Sequence, residues 1–372
     1  MTSERRALAK KTIPFLMIGL LIFILYLYFF VGMDKIVLIL QGIDPFYYSL
    51  AFITAFLGMV VYSLTWQSLL NLLSIKIAFR KTFLFMWIGT FVDIIIPFES
   101  VSGEISRAYL IYKSTNESTG KVAASIVSHR ILTMGVTVAG LIISSALLIL
   151  YYRFMDPFVL TFVAIVAACA ILVISLLTYL SSREKATQKL LNLVFKFLDF
   201  ISRGHWKLTS LKSAVQEMLR AYHEGIDTLK EHPKGITLPI ILSIASWFSD
   251  LLISLFVFSA LGFEIPIVSL IVVYSISVAI PMIPISISGV GPTEIIMSAL
   301  YTLFLGTEFA ALSATVTLLT RIVTVWFKLI VGYIAVHWVG VDILSRRVTE
   351  SIMPKVSEEK GDNASVGQKN QI

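Results

Sequence analysis

Residues Ile94–Leu110 read IIIPFESVSGEISRAYL, an apolar run interrupted by Pro97, Ser100, Ser102 and Gly103 and then by Glu104 and Arg107. Such a stretch reads as a broken membrane helix that carries charge at depth. Its length decides how the chain is threaded. The surrounding segment, Phe83–Tyr112, holds 30 residues. Two full crossings need about 40, at about 20 residues each and about 1.5 Å per residue. The segment is therefore one span followed by a surface helix, or it enters the membrane, breaks near Pro97–Gly103 and leaves on the same side.

Composition fixes the solvent. The 372 residues are 57% hydrophobic and only 14% charged, and the mean hydropathy is +0.87. No soluble domain of this size has that balance, so the chain is expected to be a multi-pass protein of the cell membrane. The formal net charge is +7. In a membrane protein lysine and arginine report which loops face the cytoplasm, and nucleic acid is not expected as a partner. Cys169 is the only cysteine, which excludes an intrachain disulfide and a cysteine-based zinc site. The first apolar window is long and has no small-residue cleavage site, so it is taken as a retained span.

The basic residues orient the spans. Arg5, Arg6, Lys10 and Lys11 precede a first span near Thr12–Gly32, and a second near Phe46–Leu73 returns to Lys76, Arg80 and Lys81. If Phe83–Tyr112 re-enters, spans near Ser125–Leu150 and Phe158–Leu180 deliver Ser181–Gly235, with ten lysines and arginines, to the cytoplasm. A single crossing would put that stretch outside, against the positive-inside tendency, so re-entry is favoured. Within it Leu190, Leu191, Val194, Phe197, Leu198 and Ile201 recur at helical spacing among Lys185, Lys189 and Lys196. That pattern fits a helix on the inner leaflet, or a connector whose apolar face packs on the membrane domain.

The second half repeats the plan. A span near Ile236–Leu261 contains Asp250, Ile267–Leu305 is interrupted by Pro281, Pro284, Gly289, Gly291 and Pro292, and a last span covers Glu308–Val339. Pro97, Gly103 and Glu104-Ile105 correspond to Pro284, Gly289, Gly291 and Glu294-Ile295. Arg130-Ile-Leu-Thr then Gly140 corresponds to Arg321-Ile-Val-Thr then Gly332, and glutamate to arginine is 26 residues in one half and 27 in the other. Trp66-Gln-Ser-Leu-Leu faintly echoes Trp247-Phe-Ser-Asp-Leu-Leu.

The expected fold is an all-α polytopic membrane protein, an inverted repeat of about six full spans plus two re-entrant broken segments, with both termini cytoplasmic. Its membrane domain covers residues 1–345, with a first repeat at 12–150, a second at 158–339 and an amphipathic insert at 181–235. Residues 346–372 read as a disordered tail. Three spans per half turn the second repeat upside down relative to the first, and paired Gly/Pro-interrupted segments point to a transport site near the midplane.

Irregular backbone at that depth must line protein or a wet cavity. Gly103, Gly289 and Gly291 permit close approach, and Pro292 suits the first turn of a restarting helix. Restarted helices would aim free N–H groups into the cavity, where an anion such as a phosphate is the natural guest. Arg130 and Arg321 sit in apolar spans and need partners. Glu104 and Glu294 are one set and a lipid phosphate is the other; both remain open. Arg107, one turn after Glu104, can pair locally with it. Asp93, Glu99 and Asp250 lack counterparts in the other half and are candidate cavity acids. Lys328 is expected to snorkel toward the cytoplasmic face.

At these residues the chain resembles the transmembrane region of lysylphosphatidylglycerol synthases and its stand-alone flippase-like relatives. The resemblance rests on Gly103-Glu-Ile-Ser-Arg-Ala-Tyr-Leu110, on Ser125–Arg130, on Gly289-Val-Gly-Pro-Thr-Glu294 and on Arg321 with Gly332. Two departures stand out: His129 where the family often has glutamate, and Lys328 where it often has proline. The resemblance implies an eight-segment domain that moves phospholipids or polyprenyl-linked lipids between leaflets. In bifunctional members a separate soluble domain aminoacylates the lipid, and nothing in this chain is long enough to be that domain.

No Walker A sequence, HExxH or Cys/His cluster is present, so neither enzyme activity nor a cofactor or metal is expected. The expected function is translocation or presentation of an anionic phospholipid or polyprenyl-phosphate-linked lipid. Its candidate binding residues are Gly103, Glu104, Arg107, Arg130, Gly289, Gly291, Glu294 and Arg321. A non-transporting subunit or anchor of a lipid-modifying transferase, and a secondary transporter of a small solute, are the alternatives. Anionic membrane lipids are the expected partners, with a transferase and a second copy of the chain as open protein partners.

Overall fold

The computed structural model describes residue 28 and residues 33–96, 101–147, 149–150, 157–202, 209–279 and 290–339. The expected first span at 12–32, the tail at 346–372, and Pro97, Glu99, Pro281, Pro284 and Gly289 lie outside the described residues. Among those described every regular element is helical. The chain runs through α1 (Met33–Gln41), α2 (Pro45–Leu72), α3 (Phe79–Ile95), α4 (Val101–Thr115), α5 (Thr119–Leu147) and α6 (Pro157–Ser182). It continues through α7 (Glu184–Ser202), α8 (Thr209–Glu231), α9 (Thr237–Ala260), α10 (Ile267–Ala279) and α11 (Pro292–Leu305). Last come α12 (Ala310–Arg321), a π-helical turn (Ile322–Phe327) and α13 (Lys328–Val339).

Five stretches are long and apolar enough to cross a bilayer: Pro45–Leu72, Thr119–Leu147, Ala164–Ser182, Thr237–Ala260 and Thr307–Val339. They coincide with five of the six expected spans. Local chemistry sets their starts. Asp44 caps α2 by accepting the Phe46 N–H at 2.8 Å, and Pro45 fills the first turn, where its missing donor costs nothing. Pro292 plays the same part in α11.

The antiparallel pair α2 and α9 is the centre of the bundle. The Asp44 N–H donates to the Ala260 carbonyl at 2.7 Å at one end, and Leu72 packs on Gly235 at the other. Midway, a Cβ built on Gly58 would lie 3.0 Å from the Ser249 Cβ. The two helices are the equivalent elements of the expected repeat, and their antiparallel contact is the inversion such a repeat calls for.

Each broken segment folds back on itself, with α3 packed on α4 and α10 packed on α11. Each hairpin then leans on the other half: α3 on α13, which continues the Arg321 helix beyond the π turn, and α10 on α5, which carries Arg130. Two apolar cores follow. One gathers α2 to α5 and α8 and takes Ala335 and Val336 from α13. The other gathers α9 to α12 and takes Ala51, Ala55 and Leu141 from the first half.

The insert divides into two helices with different roles. Helix α8 packs against α5, where Ala221 and Tyr222 press on Gly120, and the Tyr222 and Ser181 hydroxyls meet at 2.6 Å. Helix α7 buries Phe195 but leaves Leu190, Leu193 and Val194 exposed. Helix α6 is the least enclosed of the crossing helices, with Ile165, Ile171, Leu172 and Leu176 on its open face. In water such a surface would aggregate; against acyl chains it is at home.

Candidate functional site

A cavity of about 370 Å³ lies where the two hairpins, the central pair and α6 meet. Charges enter from several elements: Asp93 from α3, Arg130 from α5, Asp250 from α9, Arg321 from the end of α12 and Lys328 from the start of α13. Five ionisable groups in the apolar part of a membrane bundle cost several kcal/mol each unless paired or hydrated. Each cation here has a carboxylate partner. Arg130 Nε stands 4.0 Å from Glu104 Oε1, Arg321 Nε donates to Glu294 Oε1 at 2.5 Å, and Lys328 Nζ stands 3.8 Å from Asp250 Oδ1.

The glutamates sit at the restarts of the broken helices. In the second hairpin Gly291 has φ +97°, a conformation that glycine adopts without the penalty a Cβ brings. There the Gly291 N–H donates to Glu294 Oε2 at 2.7 Å while the other oxygen holds Arg321. Both oxygens of one buried carboxylate are thus engaged. In the first hairpin the helix start is served from outside α4: Asp93 Oδ1 accepts the Gly103 N–H at 2.7 Å and the Ser102 hydroxyl at 3.2 Å. That arrangement needs glycine, because a Cβ on Gly103 would collide with the Asp93 carboxylate and the Gly89 carbonyl.

The expected N–H groups therefore already face carboxylates supplied by the chain. These carboxylates occupy the helix starts, where an external anion would otherwise be held.

Of the residues singled out from sequence, Arg130, Arg321, Asp93 and Asp250 reach the cavity wall. Glu104 and Glu294 stand directly behind the arginines. Arg107 is drawn into the first hairpin and buried, its guanidinium 5.3 Å from the Trp66 ring and its Nη1 3.1 Å from Met86 Sδ. It keeps only a loose 3.9 Å contact with Glu104. His129 is buried against Tyr62, with ring centres 4.5 Å apart.

Lys328 corrects the sequence reading. It turns into the cavity toward Asp250 instead of snorkelling, because the half-buried Asp250 carboxylate offers a partner that an apolar helix surface does not. The signal was available: Lys328 follows Arg321 by seven residues, close to two helical turns, which puts them near one face. Tyr274 was missed altogether; its hydroxyl donates to Asp250 Oδ2 at 3.0 Å.

The family model described as the lysylphosphatidylglycerol synthase TM region matches residues 16–332. The chain belongs to this family. Its match covers both hairpins and every cavity-lining element. The UPF0104 membrane protein PH1989 of Pyrococcus horikoshii is 27% identical over 317 residues, covering 84% of this chain and 93% of the relative. The UPF0104 membrane protein MJ1595 of Methanocaldococcus jannaschii is 26% identical over 333 residues, covering 88% and 94%. No solved structure matches. In this chain Lys328 lines the cavity as a third cation beside the two repeat-related arginines.

Proposed function

We propose that this family member moves the headgroup of an anionic lipid through the charged cavity while the acyl or prenyl chains stay in the bilayer. One observation supports it above the rest: a cavity lined by Arg130, Arg321 and Lys328 has Val166 and Ala170 of α6 on one side, and the rest of α6 is open apolar surface. Guanidinium and ammonium groups bind phosphate oxygens by charge-assisted hydrogen bonds. Small side chains on a thinly packed helix leave a route for the attached tail. A transporter of a small solute needs no such wall.

Reconstitution into liposomes with a labelled anionic phospholipid tests the reading. Because Arg321 is also the buried partner of Glu294, the informative variant is Arg130→Gln with Lys328→Gln. Faster translocation by the wild type than by this variant is expected. Equal rates in the two would overturn the assignment of the cavity cations. No translocation by the wild type, together with a co-purifying transferase, would favour the non-transporting subunit.

A further inference from the structure

Helix α7 has two apolar faces, and the fold covers one of them. Glu184, Gln188, Leu191 and Asn192 border a cleft of about 210 Å³ whose other side is Gln216, Leu219 and Arg220 of α8, and Phe195 is buried. Positions 184, 188, 191 and 195 follow at intervals of three and four, which is one face of a helix. That face is turned to α8. Leu190, Leu193 and Val194 fall on the opposite side and are 44%, 64% and 45% exposed. Lys185, Lys189 and Lys196 are exposed too. At intervals of four and seven they form a stripe along one edge of the apolar strip.

The junction with α6 sets where this strip lies. The crossing helix ends at Ser182 and α7 starts at Glu184. The turn between them is held by the Ala186 N–H donating to the Arg183 carbonyl at 2.9 Å and by the Thr187 hydroxyl donating to the Leu180 carbonyl at 2.7 Å. In a continuous helix residues seven apart are separated by about 10 Å along the axis. The contact between Thr187 and Leu180 therefore marks a bend, and α7 leaves the axis of α6. A helix that bends away at the end of a bilayer crossing starts at the level of the headgroups. Its other face is tied to the bundle through α8, which packs on α5.

We propose that α7 lies in the leaflet at that end of α6, with Leu190, Leu193 and Val194 in the acyl boundary and Lys185, Lys189 and Lys196 on anionic headgroups. By the positive-inside tendency this is the cytoplasmic leaflet. Buried apolar area supplies the attachment of such a helix, and the ammonium groups select anionic lipid. The pattern read from sequence left two roles open, a helix on the leaflet and a connector packed on the membrane domain. The structure gives each role its own face, since the side that meets α8 is not the side that carries the exposed strip. A protein partner fits the strip less well, because interface cores are depleted of lysine and three ammonium groups stand along its edge. The surface acts independently of what passes through the cavity.

Probes on the full-length protein in nanodiscs of phosphatidylcholine and phosphatidylglycerol test this, on a Cys169→Ala background. A nitroxide at Leu193→Cys is expected to be reached by oxygen and shielded from a water-soluble nickel chelate, and one at Gln188→Cys, on the opposite face, is expected to show the reverse. Equal nickel access at the two positions would overturn the proposal. So would spin–spin broadening at Leu193→Cys, which would place a second copy of the chain on the strip. For the lysines, a fluorophore at Leu193→Cys is quenched by spin-labelled lipid of either headgroup. Local enrichment of phosphatidylglycerol over phosphatidylcholine by about fivefold or more is expected, the effect of a single lysine near the surface. Lys185→Gln, Lys189→Gln and Lys196→Gln together change only exposed positions, so this variant is expected to fold and to lose the enrichment. Arg130→Gln with Lys328→Gln, which acts in the cavity, is expected to leave it unchanged. Equal quenching by both lipids in the wild type, or enrichment that survives the lysine substitutions, would overturn the anionic part.

Discussion

The two hairpins start from nearly the same sequence elements and settle their charges differently. In the second, one carboxylate does two jobs: Glu294 caps its own helix through Gly291 and grips Arg321 at 2.5 Å, with only 6% and 11% of the two side chains exposed. In the first the jobs are split. Asp93, which has no counterpart, caps α4, and Glu104 is left between Arg107 at 3.9 Å and Arg130 at 4.0 Å with about a fifth of its surface open. One extra acid relieves the repeat-related glutamate of its capping role. The second hairpin is built as an anchor, and the first leaves its glutamate and Arg130 more exposed.

The largest effect that would break this comparison is expected at the anchor. Glu294→Gln removes the charge opposite a buried arginine and is expected to lower stability by about 3–5 kcal/mol, read by chemical unfolding in detergent. A cost near that of an exposed pair would mean that Arg321 is not anchored. Gly103→Ala comes next. Its Cβ meets the Gly89 backbone carbonyl and the Asp93 carboxylate across the α3–α4 contact, and overpacking of this kind costs about 1–3 kcal/mol. Tolerance there would show that Asp93 is not held against the start of α4. Asp93→Ala then deletes the cap itself, at about 1 kcal/mol in the same assay. No loss would mean that Glu104 can cap α4 as Glu294 caps α11, making the halves interchangeable.

Much of this frame was legible in the chain. Span boundaries followed from apolar length, and the shortness of Phe83–Tyr112 left a span with a surface helix or a re-entrant hairpin, between which the basic residues of 181–235 favoured the hairpin. The repeated interval from Glu104 to Arg130 and from Glu294 to Arg321 marked the glutamates as one of two candidate partners for the arginines, beside a lipid phosphate, and the structure pairs each arginine with its glutamate. What stayed hidden depends on side-chain direction between distant helices. Asp93 as a cap and Lys328 facing Asp250 both arise from how α3, α9 and α13 rotate about their axes. Serines within apolar helices look alike in sequence whether they bond to their own backbone or to nothing. Arg107 shows the converse error: a charge beside the key glutamate reads as a ligand, yet two close glycines on α3 and α4 and the Trp66 face draw it inward.

The smallest expected effect is the most discriminating. Glu104→Gln is the same chemical change as Glu294→Gln, at the equivalent place in the other half. Its partner distances are near the limit of an ion pair, both side chains are partly exposed, and the helix start is already served by Asp93. Partly solvated pairs of this kind contribute about 0–1 kcal/mol, so stability should barely move. The two pairs can then be compared by double-mutant cycles, Glu104→Gln with Arg130→Gln and Glu294→Gln with Arg321→Gln, which isolate each pairwise coupling from the cost of truncation. A coupling below about 1 kcal/mol in the first half and several-fold larger in the second is expected. Equal couplings would make the two halves energetically alike, and the assignment of one as anchor and the other as the more open site would fall with that result.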